Sequence, residues 1–394
     1  MLKFLKKLSK NFNFSFLGDL RDINHLSFWV IISTIGIVSY LTIAFLYYQL
    51  MKICPNIYIL KLLVWIIFWS LVIIFPLFYF LSKFYYNKLI KYSLIFSAIW
   101  LGFLFYFGLA LLFFKIVSIF MFFIFQKNIN YIFPAFIFSS LITIYGVINN
   151  RNYIKISYIT YHTSKIKQSL KIGFISDIHL SSLTSDSKIE KTIKILNSHN
   201  LDLILIGGDL IDSSIIPVEK RNLIEKLETL NSKNGIYMTT GNHEFIWHIE
   251  KIRKRLKNSK ITLIEDENVL FEELNLAIIF RKDKAAKRKK ETRLHIKEII
   301  KNVPNSFLKI LVEHQPVEVF EEVKYIDIAL YGHTHNGQMW PLHILVSLFF
   351  PIKYGEYKID NKLIYVSEGL DTWGPPLRVG ASPEIVILEI LPIY

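Results

Sequence analysis

Five short polar blocks in the second half of the chain carry metal-binding residue types, in the order D-x-H, G-D-x-x-D, G-N-H-E, H and G-H-T-H. They are Asp177-Ile178-His179, Gly208-Asp209-Leu210-Ile211-Asp212, Gly241-Asn242-His243-Glu244, His314 within Val312-Glu313-His314-Gln315, and Gly332-His333-Thr334-His335. Carboxylate, imidazole and amide donors of this kind suit divalent Mn, Fe, Zn or Co. Two such ions roughly 3.5–4 Å apart clamp a phosphoryl group and make hydroxide available at neutral pH. A single carboxylate can bridge two ions, and Asp209 stands where it could do so. Gly207, Gly208, Gly241 and Gly332 permit tight turns close to the ions. A lone histidine such as His314 is more often structural than ligating. Five blocks in order, each just beyond an apolar run, point to one reaction centre.

The elements that must position these blocks begin at about residue 152, where short apolar runs alternate with amphipathic stretches. The pattern predicts strands over 171–176, 203–206, 235–239, 261–264, 276–280, 307–312, 326–330, 363–367 and 384–390. It predicts helices over 187–198, 218–230 and 246–257. This alternation reads as a layered α/β domain over 151–394. Ligands in such domains sit beyond the carboxyl ends of strands, where all five blocks fall.

Residues 1–150 have a different composition. They hold twelve Lys and Arg against two acids, Asp19 and Asp22, and so carry +10 of the formal +14. That imbalance argues for contact with anionic lipid and not for a nucleic-acid partner. Four apolar stretches, 28–50, 60–81, 93–114 and 131–148, are long enough to be read as transmembrane helices. Residues 116–125 are too short to span and read as a continuation of the third helix or an interfacial segment. The first span is too long for a cleavable signal peptide, and residues 2–17 read equally as an interfacial helix or a basic tail. Lys3, Lys6, Lys7, Lys10, Arg21, Lys83, Lys88, Lys91, Arg151, Lys155, Lys165, Lys167 and Lys171 would lie on one side, against Lys52, Lys61, Lys115 and Lys127 on the other. The positive-inside rule then puts both termini in the cytoplasm. The single cysteine, Cys54, excludes an intramolecular disulfide and makes a thiolate metal site implausible.

Over roughly residues 165–392 the sequence resembles the calcineurin-like metallophosphoesterase superfamily. It looks most like a bacterial membrane-associated branch that includes UDP-2,3-diacylglucosamine hydrolases. The five blocks carry the resemblance, with Gly332-His-Thr-His-Asn-Gly-Gln338 and Ser367-Glu-Gly-Leu-Asp-Thr-Trp-Gly-Pro-Pro-Leu-Arg378 in support. It implies a layered β-sandwich flanked by helices, attached to an N-terminal α-helical membrane bundle. It also implies two divalent ions, manganese among the candidates. One would be held by Asp177, His179, Asp209 and His335, the other by Asp209, Asn242, His314 and His333. His243 would face the substrate and protonate the leaving group, with Asp212 orienting it. Arg378 would contact phosphate. Glu313, Asp371 and the Arg281-Lys282-Asp283 stretch depart from the usual pattern.

The expected protein is a phosphohydrolase of the bacterial inner membrane, its catalytic domain facing the cytoplasm and its substrate lipid-linked. Phospholipid or nucleotide phosphodiesters are alternative substrates. A non-catalytic scaffold is disfavoured because the site residues are complete. A transporter is disfavoured because the spans lack Asp, Glu and His in their cores. His162, His248, His295 and His343 read as ordinary surface or packing residues. The basic run 281–301 reads as a solvated face or, more sharply, as a clamp on anionic headgroups. The apolar run 339–354 reads as core or as a lip dipping into the bilayer.

Overall fold

The structure is a computed structural model and describes residues 23–53, 58–126, 130–247 and 249–393. The basic segment 2–17, Cys54, Lys127 and His248 lie outside these residues. Among the described residues the N-terminal half forms four helices: α1 (Ile23–Ile53), α2 (Tyr58–Ser82), α3 (Lys88–Phe125) and α4 (Ile132–Asn152). Among the described residues, α3 and α4 are long and apolar enough to cross a membrane. The stretch 116–125 continues α3. At 38 residues this helix is about 57 Å long, against a bilayer core of about 30 Å. Its first half packs on the catalytic domain, whereas Leu112, Phe113, Ile116, Phe120 and Phe123 near its far end are exposed.

The C-terminal half folds as two six-stranded sheets face to face. The first runs in the order β1 (Lys155–Thr163), β12 (Glu384–Pro392), β2 (Leu170–Ile175), β3 (Leu203–Ile206), β4 (Ile236–Met238), β5 (Ile261–Leu263). The second runs β10 (Gly355–Ile359), β11 (Lys362–Val366), β9 (Ile328–Tyr331), β8 (Leu308–Val312), β7 (Leu276–Phe280), β6 (Glu267–Phe271). Both sheets are mixed. β2 to β5 run parallel in one, and β7, β8, β9 and β11 run parallel in the other.

Side-chain alternation explains the layering. In β3, Leu203 and Leu205 join Phe174, Ile310 and Leu330 between the sheets. Ile204 and Ile206 face outward onto a cluster with Ile189, Val218 and Ile252. A strand buried on both faces reads as an unbroken apolar run, and this is how β3 and β7 could be placed from sequence. The second sheet's outer face packs Ile279, Leu311 and Ala329 against Ile296, Ile299 and Val319. The result is a helix–sheet–sheet–helix sandwich.

Several predicted elements differ. The 218–230 helix is two short ones, Ile215–Lys220 and Leu223–Leu227, broken at Asn222, which adopts a left-handed φ of 50°. The 246–257 helix starts earlier, as Asn242–Trp247 followed by Ile249–Leu256. Strands β1, β6 and β10 escaped prediction because they lie at or beside sheet edges and carry many polar residues.

Asp327 shows how the sandwich is tied together outside its core. Its carboxylate accepts from Lys165 at 2.7 Å, Lys362 at 3.0 Å and the Lys309 N–H at 2.9 Å. Burial alone would raise this carboxyl, but these donors outweigh it and hold it below the usual range. A group depressed on folding stabilises fully above its unfolded pKa and loses that contribution as pH falls through the folded value. Acid unfolding below about pH 4 is therefore expected to be shallower in Asp327→Asn than in the parent. Parallel slopes in a pH series of thermal melts would count against this assignment.

Candidate metal centre

The site forms where the parallel strands of both sheets end. β2 delivers Asp177 and His179, β3 delivers Asp209 and Asp212, and β4 leads through Gly241 to Asn242 and His243. From the other sheet β8 delivers His314, and β9 delivers His333 and His335. The two sets converge across the sandwich.

The turns are tight. Asp177, His179, Asp209, His333 and His335 all have positive φ, between 46° and 70°. Each such non-glycine residue costs about 1–2 kcal/mol, a cost the surrounding fold must offset. Gly332 is needed for closeness: a Cβ there would lie 2.4 Å from Asp177 Oδ2. At Gly241 it would lie 2.1 Å from Asp209 Oδ1.

Asp177, His179 and His335 converge as one group, and Asp209, His314 and His333 as another. His179 Nε2 stands 3.1 Å from His335 Nε2, and His335 Nε2 stands 3.2 Å from Asp177 Oδ1. Asp209 Oδ2 is 3.1 Å from His314 Nε2 and 3.8 Å from His179 Nε2, so one oxygen faces both groups. His314 Nε2 is 3.1 Å from Asn242 Oδ1 and 3.2 Å from His333 Nδ1. Imidazole nitrogens facing each other at such distances repel unless a cation or a proton lies between them. These separations also match ligand–ligand edges around an ion held by bonds of about 2.0–2.1 Å. The donors therefore fit two divalent ions that share Asp209.

The electrostatics agree with that fit. Burial opposes ionisation of Asp177 and Asp209, but the surrounding imidazoles outweigh it and hold both carboxyls well below the usual range. Burial and the neighbouring His314 lower His333 to about 3, and burial and the neighbouring His179 lower His335 to about 4. Those two rings are held neutral, the ligating form, whereas at His314 burial is outweighed by Asp209 and Asp177, which raise it well above its usual value, so that positive charge is drawn to the place an ion would fill.

His243 converges with His179 and Asp209 as a third group, but Asp212 takes up one of its ring nitrogens. Its Nδ1 donates to the Asp212 carbonyl at 2.7 Å and lies 3.3 Å from Asp212 Oδ1. Its Nε2 is 4.0 Å from Asp209 Oδ2, at the wall of the cleft. Burial opposes its charge, yet Asp209 and Asp212 raise it to about 10. Asp212 supports a second ring as well, standing 3.5 Å from His179 Nδ1.

Arg378 is not a substrate contact in this structure. It is fully buried, it does not line the cleft, and it sits behind His335 with Nη2 3.2 Å from His335 Nδ1. Its other bonds go to the carbonyls of Glu368, Ser382 and Asp371. The tail motif signalled an important arginine but not the direction it faces. The other departures from pattern also find partners. Glu313 pairs with Arg281 and Arg293, Asp283 accepts from Gln315, and Asp371 pairs with Lys188 at 2.8 Å. The run 281–301 is thus partly a buried ion network, with Lys287, Lys289 and Lys290 left exposed.

Sequence reasoning missed the role of Glu244. This buried carboxylate accepts from the backbone N–H groups of Asp209, Leu210, Ile211 and Gly241. It locks the β3 loop to the β4 loop. Burial and the charge of Asp209 push it up to about 7, against the pull of those amides. Glu244→Ala would strand several buried donors, each costing about 1–3 kcal/mol. Thermal melts should show a loss of at least about 3 kcal/mol, with Glu244→Gln losing less. A melt unchanged in Glu244→Ala would exclude this role.

Comparison with known proteins follows the same lines. Residues 170–337 match the family model described as calcineurin-like phosphoesterase. An uncharacterised metallophosphoesterase of Helicobacter pylori is 34% identical over 241 residues, covering 60% of this chain and 64% of that protein. The match thus spans less than two thirds of that relative. An uncharacterised metallophosphoesterase of Campylobacter jejuni is 32% identical over 255 residues, covering 64% of this chain and 67% of that protein. A Danio rerio protein named as a transmembrane protein with metallophosphoesterase domain is 27% identical, covering 64% of this chain and 60% of its own length. With the fold, the metal-binding cluster and these relatives in agreement, the chain belongs to the calcineurin-like metallophosphoesterase family.

Proposed function

We propose that this protein is a membrane-anchored, dinuclear-metal phosphohydrolase that cleaves a phosphoester or pyrophosphate of a lipid-linked substrate. UDP-2,3-diacylglucosamine is the first candidate. One observation carries the lipid reading. The cleft has a polar floor of Asp209, Asn242, His243, His333 and His335, and an apolar wall of Val346, Phe350 and Trp373. Val346 and Phe350 come from the run 339–354, whose helix His343–Phe349 packs one face against Ile35 of α1 and Phe105 and Tyr106 of α3. Its other face leaves Ile344 and Leu348 exposed, Leu348 by 74%, and Trp340 just before the helix is exposed as well. The run therefore serves as packing on one side. On the other it is a candidate surface for lipid contact beside the cleft.

When bound, the two ions supply Lewis-acid stabilisation of phosphoryl charge and acidify the attacking water. Asp177, His179, Asp209 and His335 would hold one, and Asp209, Asn242, His314 and His333 the other. His243, whose Nδ1 is held by Asp212, would donate from Nε2 to the departing oxygen. The long apolar helices and the transmembrane relatives support membrane association. The excess of Lys and Arg on one side supports an inner-membrane topology with the catalytic domain in the cytoplasm.

The test uses full-length protein in detergent with Mn. Hydrolysis of both bis(p-nitrophenyl) phosphate and UDP-2,3-diacylglucosamine, each lost in Asp209→Asn, supports the reading as stated. Cleavage of the generic ester alone removes the nucleotide lipid. No hydrolysis with any of Mn, Fe, Zn or Co sinks the enzyme reading.

A further inference from the structure

The contacts between α4 and the loop behind His335 are closer than an anchor requires. Two helical glycines form a notch for that loop. A Cβ on Gly102 of α3 would lie 2.4 Å from Leu377, and a Cβ on Gly146 of α4 would lie 2.9 Å from Val379. Leu377 and Val379 are buried there with Phe105 and Tyr106. The residue between them is Arg378, and α4 holds both ends of its peptide unit. The Arg378 N–H donates to the Gly146 carbonyl at 2.9 Å, and Asn149 Nδ2 donates to the Arg378 carbonyl at 3.1 Å. Asn149 Nδ2 also reaches the Ala381 carbonyl at 2.9 Å.

The next residue of the helix extends the grip. Asn150 Oδ1 accepts from the buried Lys188 at 2.8 Å, and Lys188 pairs with Asp371 at 2.8 Å. The Asp371 carbonyl accepts from Arg378 Nη2, the same nitrogen that stands against His335. The Asp371 N–H donates to the Asp177 carbonyl at 2.9 Å. Two residues of the first metal group, His335 and Asp177, thus rest on groups that the end of α4 fixes. His314 has no such link among the described contacts, and His333 is reached only one step further on, through its N–H bond to the Asp177 carboxylate at 3.0 Å. A second tie from the helices to the domain, the Lys191 bond to the Asn152 carbonyl at 2.6 Å, is exposed and does not touch this network.

We propose that α4 is a positioning element of the metal centre: through Asn149, Asn150 and the notch at Gly146 it holds Arg378 and Asp371, and so sets the first ion's site. This rests on the two-ion reading above. It makes Arg378 and Asn149 positioning residues, not groups that touch substrate. Groups one layer behind metal ligands typically change metal affinity by about 10–100-fold.

The test measures metal content by elemental analysis on full-length protein purified in detergent, with thermal melts to verify folding. Parent protein is expected to retain two ions after dialysis against limiting Mn. Asn149→Ala is expected to retain about one, to need about 10–100-fold more Mn for the second, and to regain parental kcat at saturating Mn. Lys191→Ala, which cuts the separate tie, should match the parent. Should Asn149→Ala fail to fold, Arg378→Lys tests the same link, since lysine cannot reach His335 and three carbonyls at once. Two ions of parental affinity in a folded Asn149→Ala or Arg378→Lys would overturn the proposal. So would equal loss in Lys191→Ala, which would make the effect general loosening of the interface. A parent that binds no ion would instead remove the two-ion reading itself.

Discussion

Asp209→Asn is expected to release metal and to lower kcat by roughly a thousandfold, equivalent to about 4 kcal/mol of transition-state stabilisation. The substitution keeps the side chain's shape. An oxygen at Oδ1 can still accept from the His243 N–H at 2.8 Å. What changes is Oδ2, which faces His314 at 3.1 Å, His179 at 3.8 Å and His243 at 4.0 Å. An amide there presents hydrogens to the nitrogens it should face as an anion, and no charge remains to hold two cations together. Elemental analysis and initial rates on bis(p-nitrophenyl) phosphate read both effects. A variant that keeps two ions and a rate within tenfold of the parent would remove Asp209 as the shared ligand.

His243→Ala should cost about 10²–10⁴ in kcat on an alkyl phosphodiester, the range for a lost general acid. On a p-nitrophenyl ester, whose leaving group needs no proton, the cost should be less than tenfold. Equal losses on both substrates would assign His243 to charge stabilisation only. The pH profile gives an independent reading. A protonated acid is lost as pH rises through its pKa, and Asp212 helps raise this one to about 10. Asp212→Asn keeps the carbonyl that accepts from Nδ1 but removes a negative charge. The alkaline limb should therefore move to lower pH.

The floor of the site was legible because its residues are short polar interruptions of buried strands. Asp177, Asp209, His314 and His333 each follow a mainly apolar run, and such runs admit few readings once turns bound them. The second layer was not legible. Glu244 is one residue past His243, and nothing in its spacing shows that four amides from two loops converge on it. Arg378 was visible as part of a motif, but its burial depends on Leu377 entering a notch between helices far away in sequence. The helix predicted over 218–230 failed for a local reason: Asn222 tolerates left-handed backbone at little cost, and the chain turns there. The run 339–354 was ambiguous because it has two apolar faces, and only packing decides which one meets protein.

The position of β12 has a consequence for how this protein comes into being. The strand lies second in its sheet, parallel to β1 on one side and antiparallel to β2 on the other. Its first residue, the buried Glu384, accepts from Tyr365, Ser367 and the Glu368 N–H, and so ties down the segment that leads to Asp371. Every residue of the centre is synthesised before this strand, yet the first sheet remains split until it arrives. Long-range pairings of this kind form slowly. A chain that still lacks β12 therefore carries all its ligands but no closed first sheet to hold them. During that interval the open edges of β1 and β2 are the part of the molecule most exposed to wrong pairing and most in need of a chaperone.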